Sequence, residues 1–110
     1  MTKAPLEKAF VSSFLAALRA RGHRFVVKTH GGPMQASGIP DVLALAGGRL
    51  VGLEVKRPKV GRLTPLQQRC LAHINADGGY GVVVHSAEEA LAAMEAAARG
   101  ETAAPAQLPG

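Results

Sequence analysis

The sequence predicts an α/β fold in which helices pack on a mixed β-sheet. Segments with helical spacing alternate with short runs rich in β-branched residues, in the order α-β-β-β-α-β-α. A chain of 110 residues, 47% of them hydrophobic, is sufficient for one packed core. We therefore expect a single domain over residues 1–99 and a disordered tail over residues 100–110, which are rich in Ala, Pro and Gly.

Three segments have the apolar spacing of amphipathic helices: residues 5–21, 64–77 and 86–99. Pro5 suits a first helical turn. The second helix opens with the capping-box pair Thr64 and Gln67. Ser86 and Glu89 have the same spacing at the start of the third helix.

Four segments have the composition of strands: residues 23–29, 41–46, 49–56 and 80–85. Gly47 and Gly48 separate the second strand from the third, which is a strong signal for a two-residue hairpin. Residues 31–38 and 57–62 are predicted to be loops.

The charge of the chain is unevenly distributed. The net charge is +5, yet residues 1–75 contain 12 Lys and Arg residues and three acidic residues. Residues 76–110 contain one arginine and five acidic residues. A basic body indicates a polyanionic partner such as nucleic acid, although ordinary solubilising charge explains the net value equally well.

Cysteine and hydropathy patterns exclude several classes of protein. Cys70 is the single cysteine, so neither an internal disulfide nor a cysteine-based zinc cluster can form. The four histidines have no metal-ligand spacing and are expected at strand ends or on the surface. We find no apolar run of membrane-spanning length and no secretory signal, and therefore expect a cytoplasmic protein without membrane contact.

The hairpin brings charged residues together. A two-residue turn at Gly47 and Gly48 places Asp41 opposite Glu54, and Lys56 projects from the same face of the sheet. Two opposed carboxylates destabilise a sheet unless a positive charge offsets their repulsion. A Mg²⁺ ion held by both carboxylates would offset it. The alternative is a structural ion pair between Lys56 and one carboxylate.

The segments GIPD (residues 38–41) and EVK (residues 54–56) resemble the signature of PD-(D/E)xK nucleases. The segment GRLTPLQ (residues 61–67) is similar to one found in the VRR-NUC branch of that superfamily. The resemblance implies a restriction-endonuclease-like αβββαβ core, similar to that of Holliday-junction resolvases.

The resemblance also implies a set of site residues. Asp41, Glu54 and Lys56 are expected to be catalytic, together with Gln67, for which local capping of the helix is the alternative role. Asp41, Glu54 and the backbone carbonyl of Val55 are expected to bind the metal.

Further residues are expected around this centre. Glu7 matches the acidic residue that nucleases of this superfamily often carry on the first helix, and the resemblance implies that it binds the metal. Its alternative role is that of a first-turn glutamate favoured by the helix dipole. Arg57, Lys59 and Arg62 crowd one loop beside the carboxylates, where phosphate binding is the better interpretation. Lys28, on the strand before the hairpin, is a further candidate for DNA binding.

The sequence therefore predicts a Mg²⁺-dependent, structure-specific DNA endonuclease that acts on duplex or branched DNA, such as junctions or flaps. Mn²⁺ is expected to substitute for Mg²⁺, and a homodimer would provide two symmetric cuts at a junction. Two alternatives remain open: a catalytically silent nucleic-acid-binding module on the same fold, and a nuclease directed at RNA.

Overall fold

The elements of the chain follow the predicted order. A computed structural model describes residues 3–29, 38–58 and 62–103, with side chains from residue 9 onward. The elements are α1 (Lys3–Ala20), β1 (Val26–Lys28), β2 (Val42–Ala46), β3 (Arg49–Val55), α2 (Pro65–Ala76), β4 (Tyr80–Val84) and α3 (Ala87–Ala98). None of these three helices is long and apolar enough to cross a membrane.

The four strands form one mixed sheet in the order β1-β2-β3-β4. The first two pairs are antiparallel, and β3 and β4 are parallel. Gly47 and Gly48 have φ angles of +58° and +79°, as a type I′ turn requires. Val42 pairs with Leu53, so the hairpin register predicted from the sequence is confirmed.

Helices cover the two faces of the sheet unequally. Alternate residues of β3, such as Val51 and Leu53, are buried in a core shared with α1 and α3. The intervening Gly52 faces the other way, where a Cβ atom would lie 2.8 Å from the Ile74 side chain of α2. Because α2 packs on β3 and β4, the β1–β2 half of this second face carries partly exposed apolar side chains: Phe25, Val27 and Leu45.

Several element boundaries differ from the predicted ones. Helix α1 begins two residues before Pro5, so its first turn contains no acidic residue. Strand β1 has three residues rather than the seven predicted. At the start of α3, the Ser86 hydroxyl accepts the Glu89 N–H, but the Glu89 carboxylate accepts the N–H of His85 rather than that of Ser86. The second predicted capping box is therefore only half formed.

Part of the segment predicted to be a tail packs against the hairpin. The Arg49 guanidinium donates to the carbonyls of Ala97 at 3.0 Å and Glu101 at 2.8 Å. Ala103 is 7% exposed. Residues 100–103 thus belong to the folded body, and residues 104–110 lie outside the described part of the chain.

Gly38 allows the chain that leads to Asp41 to lie against α2. Its φ angle is +79°, and a Cβ atom at this position would lie 2.6 Å from the backbone carbonyl of Leu66 and 2.9 Å from the N atom of Gln67. Backbone atoms in a helix cannot move aside easily. The close approach therefore requires glycine and sets the distance between this segment and the first turn of α2.

We predict that Gly38→Ala destabilises the protein more than Gly48→Ala does. Both glycines have φ +79°, but Gly48 has no atom within 4 Å of the added Cβ. Gly48→Ala should cost about 1–2 kcal/mol for the left-handed backbone alone, and Gly38→Ala should add the cost of displacing α2. Urea unfolding of both variants measures the difference. Equal losses of stability would show that the contact with α2 is unimportant.

Candidate active site

Asp41 and Glu54 lie opposite each other on the face of the sheet that α2 partly covers. Asp41 directly precedes β2, and Glu54 is the penultimate residue of β3. The pairing of Val42 with Leu53 puts the two carboxylates on adjacent strands. Lys56 directly follows β3, and its Nζ lies 3.5 Å from Glu54 Oε2. The three residues predicted to converge are therefore brought together.

Glu54 is a buried acid with an incomplete set of partners. Its side chain is 2% exposed, and that of Lys56 is 17% exposed. Glu54 Oε2 contacts Lys56, whereas Oε1 is buried and has no hydrogen-bond partner among the described residues. An ionised carboxylate of this kind is costly unless a further positive group binds it.

Backbone hydrogen bonds fix the position of Asp41. Its Oδ2 accepts the Val55 N–H at 2.9 Å. The Asp41 carbonyl accepts the N–H of Thr29 at 2.9 Å, and the Thr29 hydroxyl donates to the Pro40 carbonyl at 2.6 Å. Asp41 is thus held by β3 on one side and by the end of β1 on the other.

The environment of Glu54 opposes its ionisation. Burial, in the first place, raises the pKa of Glu54 to about 8, and the charge of Asp41 raises it further. A protonated Glu54 can donate a hydrogen bond to Asp41, which also favours the protonated form. The Lys56 ammonium lowers the pKa but does not outweigh these effects. A second cation at the site would favour the ionised form of Glu54.

The donor set of this centre fits Mg²⁺. Mg²⁺ prefers oxygen ligands and is commonly held by one or two carboxylates while it keeps several waters. Asp41 and Glu54 would supply the carboxylates, and the buried Glu54 Oε1, which has no partner among the described residues, would be available to a cation. Within residues 3–29, 38–58 and 62–103, no group of three or more His, Cys, Asp or Glu residues could hold a metal. The Val55 carbonyl remains the third ligand expected from the sequence.

Two of the predicted site residues are less closely tied to the carboxylates. Gln67 forms the complete capping box: its Oε1 accepts the Thr64 N–H at 3.0 Å, and its N–H donates to the Thr64 hydroxyl at 3.1 Å. The local role thus accounts for the Gln67 side-chain oxygen. Glu7 lies on α1, and its side chain is outside the described part of the structure.

The predicted DNA-binding residues do not all share one face. Arg57 follows Lys56 directly, and Arg62 is exposed two residues before the Thr64 cap. Lys59 lies outside the described residues. Lys28 pairs with Val42, whose side chain is buried in the core beneath α1 and α3. Lys28 therefore leaves the sheet on the face opposite Glu54.

The sequence did not reveal three residues near the site. Thr29 fixes the Pro40–Asp41 backbone, as described above. His85 lies next to β4, and its Nδ1 is 2.9 Å from the Lys56 carbonyl. Cys70 of α2 is half-buried, and burial, together with the charge of Glu54, raises the pKa of its thiol. No motif marks these residues, because each acts through the backbone or through proximity in the folded chain.

Comparisons with known proteins identify the fold. No protein-family model matches the sequence, and no curated protein sequence matches it. Among solved structures, the chain is similar to one described as a VRR_NUC domain protein, with a TM-score of 0.57 and 15% sequence identity. The similarity covers 98% of each chain. The protein therefore has the fold of a VRR-NUC domain, and the predicted restriction-endonuclease-like core is confirmed.

We predict that the metal-free protein loses stability as the pH rises from about 4.5 to about 8. Between the ordinary pKa of 4.5 and the folded value of about 8, the folded state holds a proton on Glu54 that the unfolded state has released. The proton on Glu54 stabilises the folded state, and this contribution to the free energy of unfolding is complete below pH 4.5. It disappears as the pH passes the folded pKa, and the free energy of unfolding falls by at most about 1.4 kcal/mol per pH unit.

Urea unfolding in chelator at several pH values measures this slope. Glu54→Gln should flatten it, because the titrating group is removed. Glu95→Gln is the matched control, since Glu95 is exposed and paired with Arg21 at the surface. The same slope in wild type and in Glu54→Gln would contradict the prediction.

Proposed function

We propose that this protein is a Mg²⁺-dependent endonuclease that hydrolyses phosphodiester bonds in DNA, with branched DNA such as junctions or flaps as its substrate. The observation that carries the proposal is the convergence of Asp41, Glu54 and Lys56 on one face, with a buried Glu54 oxygen that has no hydrogen-bond partner in the described part of the chain. A purely structural ion pair between Glu54 and Lys56 would not account for that oxygen. The VRR-NUC fold supports the same reaction class.

Each residue has a defined part in the reaction. Asp41 and Glu54 would hold Mg²⁺. When bound, the ion would act as a Lewis acid that activates water and offsets the charge of the phosphate. The Lys56 ammonium, 3.5 Å from Glu54 Oε2, assists the attacking water or stabilises charge on the phosphate as water displaces the ester oxygen in line. The resemblance to PD-(D/E)xK nucleases implies a 5′-phosphate product.

The basic residues beside this centre would hold the substrate. Arg57 adjoins Lys56, and Arg62 is exposed at the approach to α2. Contacts from arginine to phosphate position a nucleic acid without reading its bases. We propose that the active form is a homodimer, because a two-fold pair of sites would make the symmetric cuts that a four-way junction requires.

We expect Asp41→Asn, Glu54→Gln and Lys56→Ala each to lower the cleavage rate about 10²-fold or more, because each removes a charged group at the reacting phosphate. The assay uses duplex, flap, fork and four-way-junction DNA, with matched RNA, in Mg²⁺, Mn²⁺ or chelator. Asp77→Asn, an exposed carboxylate at the far end of α2, is the matched control.

The assay also separates the alternatives. Wild-type protein that binds DNA but cleaves nothing in either metal would identify a silent binding module. Cleavage of RNA but not of DNA would identify the protein as a nuclease directed at RNA. A wild-type rate for Glu54→Gln would remove the site assignment.

Neutralisation of Arg57 or Arg62 should weaken binding to all DNA sequences alike. Each lost phosphate contact should reduce the slope of log K against log salt by about 0.9. Lys59, which the sequence analysis assigns to the same predicted loop, is tested in the same way. Lys28→Gln should have a smaller effect because Lys28 lies on the other face. Arg99→Gln is the control, since Arg99 is already paired with Glu101 at 2.7 Å. An unchanged slope for the loop variants would place the DNA elsewhere.

A further inference from the structure

The backbone of Lys56 is bound by the last residue of β4 and by the residue that follows it. Strand β3 ends at Val55, so Lys56 is the first residue beyond the regular ladder. Its N–H donates to the Val84 carbonyl at 3.0 Å. Its carbonyl lies 2.9 Å from His85 Nδ1. Both polar groups of the Lys56 main chain thus have partners on two consecutive residues of the neighbouring segment.

His85 is itself fixed between the sheet and α3. Its N–H donates to Glu89 Oε1 at 2.8 Å, and Glu89 belongs to the first turn of α3. The N–H of Glu89 in turn donates to the hydroxyl of the cap residue Ser86 at 3.1 Å. His85 therefore connects two parts of the chain: its backbone N–H binds the start of α3, and its imidazole ring contacts the peptide group that follows Lys56.

The contact with the Lys56 carbonyl determines which ring nitrogen of His85 carries a hydrogen. A carbonyl oxygen can only accept a hydrogen bond, so His85 Nδ1 must carry the hydrogen that points to Lys56. The neutral ring then has its other nitrogen, Nε2, without a hydrogen. This is a testable property, because the two neutral tautomers of histidine are distinguishable by the ¹⁵N resonances of the ring.

We propose that His85 is a positioning residue for Lys56. The imidazole fixes the peptide plane between Lys56 and Arg57, and this plane sets the direction in which the lysine side chain leaves the end of β3. The Lys56 ammonium then stays at Glu54 instead of following the loop that begins at Arg57. The inference rests on the proposed nuclease function only for its effect on catalysis, and the contact itself can be tested without it.

The catalytic test compares two replacements of similar size. In His85→Asn, the amide NH₂ group is attached to Cγ, as Nδ1 is in histidine, and can still donate to the Lys56 carbonyl. In His85→Leu, a methyl group takes that position and cannot donate. Because small displacements of a catalytic group cost large factors in rate, His85→Leu should lower kcat by about tenfold and leave KM for DNA nearly unchanged. His85→Asn should recover most of the loss. His73→Leu, an exposed histidine in the last turn of α2, is the matched control.

The structural test uses ¹⁵N NMR of the metal-free protein, at a pH where His85 is neutral. Wild type should show the tautomer with hydrogen on Nδ1. The amide resonance of Arg57, which shares the peptide plane with the Lys56 carbonyl, should shift in His85→Leu and return towards the wild-type position in His85→Asn. Melting temperatures of the variants verify that each is folded.

The outcomes separate the inference from the proposed function. Hydrogen on Nε2, or an Arg57 resonance indifferent to His85→Leu, would overturn the positioning role whether or not the protein cleaves DNA. Equal kcat values for wild type and His85→Leu would overturn it in an active nuclease. The expected NMR results in a protein that cleaves no substrate would support the contact and reject the nuclease function alone.

Discussion

The turn at Gly47 and Gly48 is the constraint on which the site depends. Positive φ angles at both residues produce a two-residue hairpin whose twist matches that of its strands. This turn fixes the register, and a shift of one residue would move every side chain of a strand to the other face. Asp41 and Glu54 meet because the turn lies midway between them along the chain.

The same register separates the packing and chemical roles of the sheet. Alternate residues of β2 and β3, including Val42 and Leu53, supply the core with α1 and α3. The residues between them lie on the face that α2 covers only in part, where Gly52 of β3 leaves room for the Ile74 side chain. Most apolar burial is thus completed on one face. The other face can therefore hold a buried acid such as Glu54 without loss of the core.

Electrostatics at this face favour a bound cation. Burial and the Asp41 charge oppose the ionisation of Glu54, and Lys56 compensates only in part. Asp41 cannot turn away freely, because its carboxylate accepts the Val55 N–H and its carbonyl accepts the Thr29 N–H. The backbone therefore maintains the proximity of two acids that would otherwise separate. This enforced proximity carries an electrostatic cost in the metal-free fold, and the proposed metal ion would offset it.

Local chemistry explains which parts of the fold could be predicted. The order of the elements, the capping box of Thr64 and the hairpin register all depend on residues close in sequence. The hairpin register was the feature that predicted the convergence of Asp41, Glu54 and Lys56. The face on which Lys28 projects depends on the pairing of β1 with β2, and these strands are separated by a long connection. That register has no signal in the sequence.

The supporting contacts of the site are hidden for a different reason. Thr29 and His85 act on the carbonyls of Pro40 and Lys56, and a carbonyl accepts a hydrogen bond from any suitably placed donor. The chemistry thus requires a donor in a particular place and does not require a particular residue type. Carboxylates that bind a metal are restricted to Asp and Glu and can be recognised as a motif, whereas the residues that hold their backbones are found only when the folded chain brings them together.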